Sequence, residues 1–530
     1  MKWDIVDIDG SCYQERYAVG KLTGKLLAAS DFSDEKIQEV LNNDMVLSTS
    51  KAECVLQAVK RILKARESGE KVFVGGDYDA DGICSTAIMK KTLDKLGIAN
   101  GYYIPDRFKE GYGLNAKTVE LAYQKGYRLI ITVDNGVKAH EALLRAKELG
   151  MDVIVTDHHE IEEEVEADIV VHPDYMEDAY RYLSGAGVAY EISRNLIGES
   201  EPALITLCMV ALIGDVMPLY KETRKIVKKG LQLLSLRIPA SVSCLLYNPS
   251  SITETDVAFS IVPKLNSIGR MNDSSNVNTL VSYLLCEDEK QILSYSKALN
   301  KVNDERKKRS GLMSEKAETL LCGHPLEVLT DVSFEEGICG LVAGRLCNSY
   351  HKPVIVMSEN GDLLKGSGRS VAGFDLFTFL SPFEKKVAFG GHKAAVGITV
   401  KKSDYPDLLS YIDENIQKYD LSQEEMQKAI RIEPEDVNFD SISDLSLLSP
   451  YPKDMFQPFF AFVHPGQVQV VKAGKTVRYL ITVQNRTIEC VAFPSKNLPY
   501  TENPDVFIGK LSINRFRGTV KLQMNLEYVK

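Results

Sequence analysis

The stretch Lys71-Val-Phe-Val-Gly-Gly-Asp-Tyr-Asp-Ala-Asp-Gly82 starts as a short apolar run and ends in three carboxylates at alternate positions. Lys71–Gly75 has the length and composition of a buried strand, and the Gly-Gly pair that follows ends it. The pattern recurs downstream. Ala99–Ile104, Leu129–Val133, Val153–Thr156 and Ile169–Val171 are further β-rich runs, separated by helix-length amphipathic stretches such as Ala139–Leu149. Strand, helix, strand at this spacing predicts a parallel, doubly wound α/β sheet.

In an open α/β sheet, ligands bind beyond the carboxyl ends of the strands. Those ends are unusually acidic here: Asp77, Asp79 and Asp81 after the first strand, Asp134-Asn135-Gly136 after Leu129–Val133, and Asp157-His158-His159 after Val153–Thr156. A fourth piece, Asp215, ends the apolar run Ala203–Gly214. One aspartate after a strand is commonly a helix N-cap, and this reading stays open for Asp77. Recurrence at successive strand ends is what carries the inference. Carboxylates converging on one crevice repel one another unless a cation neutralises them. Oxygen donors with one or two imidazoles suit Mn²⁺ or Mg²⁺ better than a thiophilic metal. There are donors enough for two ions sharing a carboxylate, an arrangement suited to in-line phosphoryl displacement.

Outward from this core, residues 1–45 read as an N-terminal helical segment and 46–220 as the α/β domain. Helical patterning over 221–321 predicts a connector. A second α/β domain spans 322–418, with strand-like Leu326–Leu329 and Val354–Met357 and the glycine-rich Lys365–Gly373 and Phe389–Gly397. Residues 419–450, acidic and weakly periodic, read as a linker. Over 451–530, five alternating runs predict a small β-barrel of OB type. That last segment has 11 Lys+Arg against 5 Asp+Glu, or +6, within a chain whose net charge is −10, leaving −16 for the rest. A basic tail on an acidic body can supply phosphate contacts that the net charge hides. Tyr479, Phe493 and Phe516 are candidates there for stacking on bases, Phe493 equally for the barrel core.

At 530 residues, 44% hydrophobic and 26% charged, the composition excludes collagen-like, disordered and small disulfide-scaffold classes. The longest apolar run, Ala203–Gly214, falls short of the about 20 residues a membrane span needs. Asp4, Asp7 and Asp9 replace the basic-then-apolar start of a secretion signal. Ten scattered cysteines without a CxxC pair fit a reducing compartment. A cytoplasmic protein with no membrane contact is expected. Gly20–Lys25 approaches a phosphate loop but is one residue short and carries Leu26 where Ser or Thr is needed.

These motifs together resemble the DHH phosphoesterase family, named for the triplet seen here as Asp157-His158-His159, and within it the RecJ-type single-strand-specific exonucleases. The resemblance runs through Gly76–Gly82, Arg107–Asn115, Thr132–Gly136, Val155–His159, Gly214–Pro218, Leu265–Arg270, Gly366–Ser370 and Phe389–His392. The two glycine-rich stretches resemble the DHHA1 domain that accompanies the DHH domain. The resemblance implies two Mn²⁺ or Mg²⁺ ions on Asp79, Asp81, Asp134, His158 and Asp215, with Asp134 as the bridge. It implies orienting or conditional ligand roles for Asp77 and Asp157, and a role for His159 at the scissile phosphate. Arg270, Ser367, Arg369, Gly391 and His392 would contact phosphate and strand.

The function implied is a 5′-to-3′ exonuclease that releases mononucleotides from single-stranded DNA, in repair and recombination. Single-strand-binding protein and a helicase are implied as partners by the family. Two other readings remain at this point: a DHH phosphodiesterase of short oligoribonucleotides or cyclic dinucleotides, and a non-catalytic replication scaffold.

Overall fold

The structure, a computed structural model, describes residues 3–247, 252–271, 276–421, 426–474, 476–496, 498–516 and 519–530, with backbone alone for Ser495 and Phe516. Among the described residues there are three sheets. The chain opens with a short strand, β1 (Trp3–Val6), and three helices ending at Leu41. The first α/β unit then builds β2 (Lys71–Gly75), β3 (Asn100–Tyr103), β4 (Tyr127–Val133), β5 (Asp152–Thr156) and β6 (Ile169–Val171), in the order β3-β2-β4-β5-β6. Every pairing in this sheet is parallel. β2, β4 and β5 are buried along nearly their whole length, as expected of parallel strands covered on both faces. Reversal of order at β2/β4 makes the switch point, and the carboxyl ends of β2, β4 and β5 open there.

Helix Ala80–Lys95 and the mostly apolar helix Ala203–Gly214 pack together under this sheet and share its main core with Val74, Ile131 and Ile154. The second unit, β7 (Glu327–Asp331), β8 (Val354–Asn360), β9 (Leu363–Arg369), β10 (Val387–His392) and β11 (Ala395–Lys401), is a mixed sheet of order β10-β11-β9-β8-β7. The glycine-rich stretches predicted without a structure are its antiparallel strands β9, β10 and β11. The 30-residue helix Glu289–Glu318 links the two units.

The third sheet changes the expected domain plan. It has eight strands in the order β1-β12-β13-β17-β18-β16-β15-β14, adding β12 (Gln427–Arg431), β13 (Phe460–Val463), β14 (Val468–Ala473), β15 (Thr476–Val483), β16 (Arg486–Ala492), β17 (Val506–Phe516) and β18 (Thr519–Val529). Residues 1–45 are therefore not only helical: β1 pairs in parallel with β12. Residues 419–450 are not only a linker, because β12 belongs to the sheet and Ile430, Ile432, Val437 and Leu445 lie in its core. That core also takes Leu22, Leu26, Ile37 and Val40 from the N-terminal helices. Both strands are too short and too charged to show a clear alternation, and their partners are remote in sequence. Tyr479, proposed as a stacker, is fully buried in the same core, whereas Phe493 is 42% exposed. The Phe516 side chain lies outside the described residues.

Candidate metal centre and strand-binding groove

Local sequence fixes each carboxylate. β2 ends at Gly75, and Gly76 is followed closely by the helix Ala80–Lys95. A Cβ on Gly76 would stand 2.0 Å from Thr86 Oγ1, and one on Gly82 would stand 2.5 Å from the Asp77 carbonyl oxygen. Only glycine lets strand end and helix start approach this closely. Asp79, rather than Asp77, is the helix N-cap: its Oδ1 accepts from the amides of Asp81 (2.9 Å) and Gly82 (3.1 Å). Asp81 lies in the first turn of the same helix. Its carboxylate sits on the start of the helix Gly185–Ile197, accepting from Ser184 Oγ (2.9 Å), Gly185 N (2.8 Å) and Ala186 N (2.8 Å). A helix N-terminus is a natural place for a fixed negative charge.

Asp134 leaves β4 in the left-handed region, φ 62°. Its amide donates to Thr156 O (3.0 Å), and its carbonyl accepts from Tyr112 Oη (2.9 Å). Non-glycine residues at such φ are uncommon, and Asp is among the few that tolerate it. Asp157, after β5, is engaged with its own loop and with the one after β4: Oδ1 accepts from His158 N (2.8 Å), His159 N (3.1 Å) and His159 Nδ1 (2.7 Å), while Oδ2 accepts from Val137 N (3.0 Å). Asp215 caps the end of the helix Ala203–Gly214.

Three overlapping groups of donor atoms result, each within 4.8 Å: Asp77, Asp79 and Asp134; Asp81, His158 and Asp215; Asp134, His158 and His159. His158 Nε2 is 3.2 Å from Asp134 Oδ1 and 3.6 Å from both Asp81 Oδ2 and Asp215 Oδ2. Asp157 is in none of these groups, among the described residues. Of the orienting and conditional-ligand roles expected above for Asp157, the geometry fits the orienting one, since its oxygens hold the DHH loop.

Electrostatics tests whether cations fit. Asp77 Oδ1 and Asp134 Oδ1 are buried and have no hydrogen-bond donor. Burial, then neighbouring carboxylates, pushes the Asp77, Asp79 and Asp134 carboxyls above their ordinary range. The same causes take Asp215 up to about 8. Burial lowers the His158 pKa despite the facing Asp81, favouring the neutral, ligating form of its imidazole. A buried carboxylate oxygen without a donor is costly, and a pair of divalent cations removes that cost. The donor set fits them.

His159 differs from its neighbour. Burial opposes its charge, but the bond to Asp157 and the surrounding acids win, raising it to about 9. It is held protonated with Nδ1 on Asp157, and Tyr112 packs edge-on to its ring at 5.9 Å. Tyr112 is a site residue that the motif reading quoted within Arg107–Asn115 without giving it a role. Arg107 is another: its guanidinium lies 5.1 Å over the Tyr78 ring.

The basic residues come from the end of the connector helix Val262–Arg270 and from β9 of the second unit. Arg270 is held down to about 10, by burial first and then by Arg107 and Arg306. Burial also lowers Arg369, which donates to Ser367 Oγ (2.6 Å). The helix Glu336–Tyr350 of the second unit packs closely here, because a Cβ on Gly337 would stand 2.1 Å from Arg270 O and one on Gly340 would stand 3.0 Å from Arg369 Nη2. Arg270 and Arg369 thus come together across the two units. Gly391 (φ 135°) and His392 end the exposed edge strand β10. His392 is near enough to contribute, after Lys138, to holding the Glu162 carboxyl down in the loop that follows His159.

Family comparisons agree with this layout. The DHH family N-terminal domain matches residues 71–212, the DHHA1 domain 326–418 and the RecJ OB domain 429–528. The chain is 34% identical over 496 residues to the single-stranded-DNA-specific exonuclease RecJ of Bacillus subtilis, over 89% of this chain and 62% of that one. It therefore spans less than two thirds of that relative's length. It is 31% identical to the protein of the same name from Dickeya dadantii, over 67% of each chain. A crystal structure of RecJ in complex with Mn²⁺ from Thermus thermophilus shares the fold at a TM-score of 0.81 and 22% identity, covering 99% of this chain and 79% of that one. The chain belongs to the DHH family, in the branch that joins DHH, DHHA1 and RecJ OB domains in that order.

Proposed function

We propose that the chain is a metal-dependent exonuclease that hydrolyses single-stranded DNA from its 5′ end to mononucleotides. The observation that carries this is the convergence of Asp77, Asp79, Asp81, Asp134, His158 and Asp215, with two buried carboxylate oxygens lacking any donor. Asp79, Asp81, Asp134, His158 and Asp215 would hold two Mn²⁺ or Mg²⁺ ions, with Asp134 shared and Asp77 beside it. When bound, such ions supply positive charge to phosphoryl oxygens and acidify water.

The chain's own residues do the rest. Asp157 keeps His159 charged and aimed, so its remaining N–H can donate to the scissile phosphate. Arg270, Arg369, Ser367 and the backbone at Gly391, with His392, would bind the strand's phosphates. The RecJ OB match supports an extended strand as substrate, since a dinucleotide needs no such track. Domain limits of 46–220, 221–321 and 322–418 support the same division of labour, with the third sheet extended to include 1–45 and 419–450. Among the described residues no helix is long and apolar enough to cross a membrane. Single-strand-binding protein and a helicase are the proposed partners, and the cytoplasm the proposed compartment.

The test offers linear single-stranded and duplex DNA of one sequence, with Mn²⁺ or with chelator. Loss of the single strand alone, and only with metal, supports the proposal. Equal loss of duplex, or activity in chelator, contradicts it; cleavage of dinucleotides but not long strands leaves the metal centre and overturns the substrate.

A further inference from the structure

The third sheet carries a polar cavity, far in sequence from the metal centre. Tyr479, Ile481, Ile488, Cys490, Leu522 and Met524 point into the core, so their alternates on β15, β16 and β18 share the opposite face. There Arg478, Glu489, Phe493, Asn514, Lys521 and Gln523 line a cavity of about 190 Å³. Glu489 and Gln523 are neighbours in the β16–β18 ladder, and Asn514 faces Lys521 across β17–β18. Glu489 is only 8% exposed and Gln523 7%. Glu489 Oε1 accepts from Lys521 Nζ, and Gln523 Oε1 accepts from Asn514 Nδ2 at 2.8 Å. A buried carboxylate at the floor of a cavity is costly unless its oxygens are used, and a base-blind strand track has no need of one.

We propose that this cavity is a guanine-selective base pocket, an inference resting on the reading that the chain acts on single strands. The Lys521–Glu489 pair presents an N–H donor followed by two carboxylate acceptors. That is the donor–acceptor–acceptor order of the pairing edge of cytosine, and its complement is the O6, N1–H and N2–H₂ edge of guanine. Among the four bases, guanine alone offers two adjacent donors to a carboxylate. Phe493, 42% exposed, supplies an aromatic wall, and Arg478 supplies a charge for the adjoining phosphate.

The experiment measures binding of the full chain, with chelator so that strands stay intact, to an oligo-dT carrying internal dG or internal dI. Inosine differs from guanine only by lacking the N2 amino donor. The dG strand is expected to bind about tenfold tighter than the dI strand, the value of one hydrogen bond to a charged acceptor. In Glu489→Gln that ratio should fall to about one. Equal affinity for dG and dI in the unmodified chain overturns the pocket, as does a ratio that survives Glu489→Gln. Should Glu489→Gln fail to fold, the ratio in the unmodified chain still decides. Binding of oligo-dT without preference removes the pocket alone; no binding to any strand removes the exonuclease reading with it.

Discussion

Asp134 concentrates the chemistry of single residues. It is buried, held at φ 62°, and left with a donorless oxygen facing His158. Asn tolerates the left-handed region, so Asp134→Asn removes the charge and keeps the backbone. We expect it to reduce hydrolysis by at least about 10²–10³-fold, as loss of one preorganised electrostatic group does. It should also abolish the rise in melting temperature with Mn²⁺, which for an intact site at 100 times its Kd is worth about 2.7 kcal/mol. Asp157 acts through His159, so Asp157→Asn should cost about 10–100-fold in rate while leaving Mn²⁺-induced stabilisation in place. Loss of the metal response in that variant would make Asp157 a ligand after all. At this scale the sequence was informative, because strand-end acids are local features. Tyr112 and Arg107 were not legible as site residues: each acts through a ring or carbonyl that only the fold brings near.

Elements set how closely the acids can approach. Helix Gly185–Ile197 begins against Asp134, where a Cβ on Gly185 would stand 2.4 Å from the Asp134 Cβ. Elsewhere in a helix, Gly→Ala stabilises by up to about 1 kcal/mol. Gly185→Ala is therefore expected to do the reverse, losing about 1–3 kcal/mol by overpacking and weakening Mn²⁺ binding, read by chemical denaturation with and without metal. A gain in stability would show that the helix does not brace the centre. The parallel strands were legible to within a residue or two, since β2 and β6 are apolar runs bounded by breakers. β1, β12 and β13 were missed because four or five residues carry too little periodicity, and the pairing of β1 with β12 across hundreds of residues leaves no local trace.

Across the molecule, the N-terminal segment and the third sheet share one core, and a buried arginine of the connector ties the first α/β unit to it. Arg224, buried on the helix Lys221–Ser235, donates to Val40 O (2.8 Å), Leu448 O (3.0 Å) and Pro450 O (2.5 Å). Replacing it by Met strands those carbonyls, and we expect a loss of about 2–4 kcal/mol, with earlier hydrogen exchange in residues 22–40. Unchanged stability would mean these contacts do not join the parts. The same union makes simple removal of 451–530 a poor test of the tail, because it would bare Leu22, Leu26, Ile37 and Val40. Composition alone pointed to a basic tail; that the tail's sheet recruits the chain's first strand is a tertiary fact.

The most direct test of the account digests long single-stranded DNA with Mn²⁺, labelled at the 5′ or the 3′ end, beside Asp134→Asn. Mononucleotides are expected at once from the 5′ label, late from the 3′ label, and not at all with the variant. Early release from the 3′ label, internal cuts, or full activity in Asp134→Asn would contradict it.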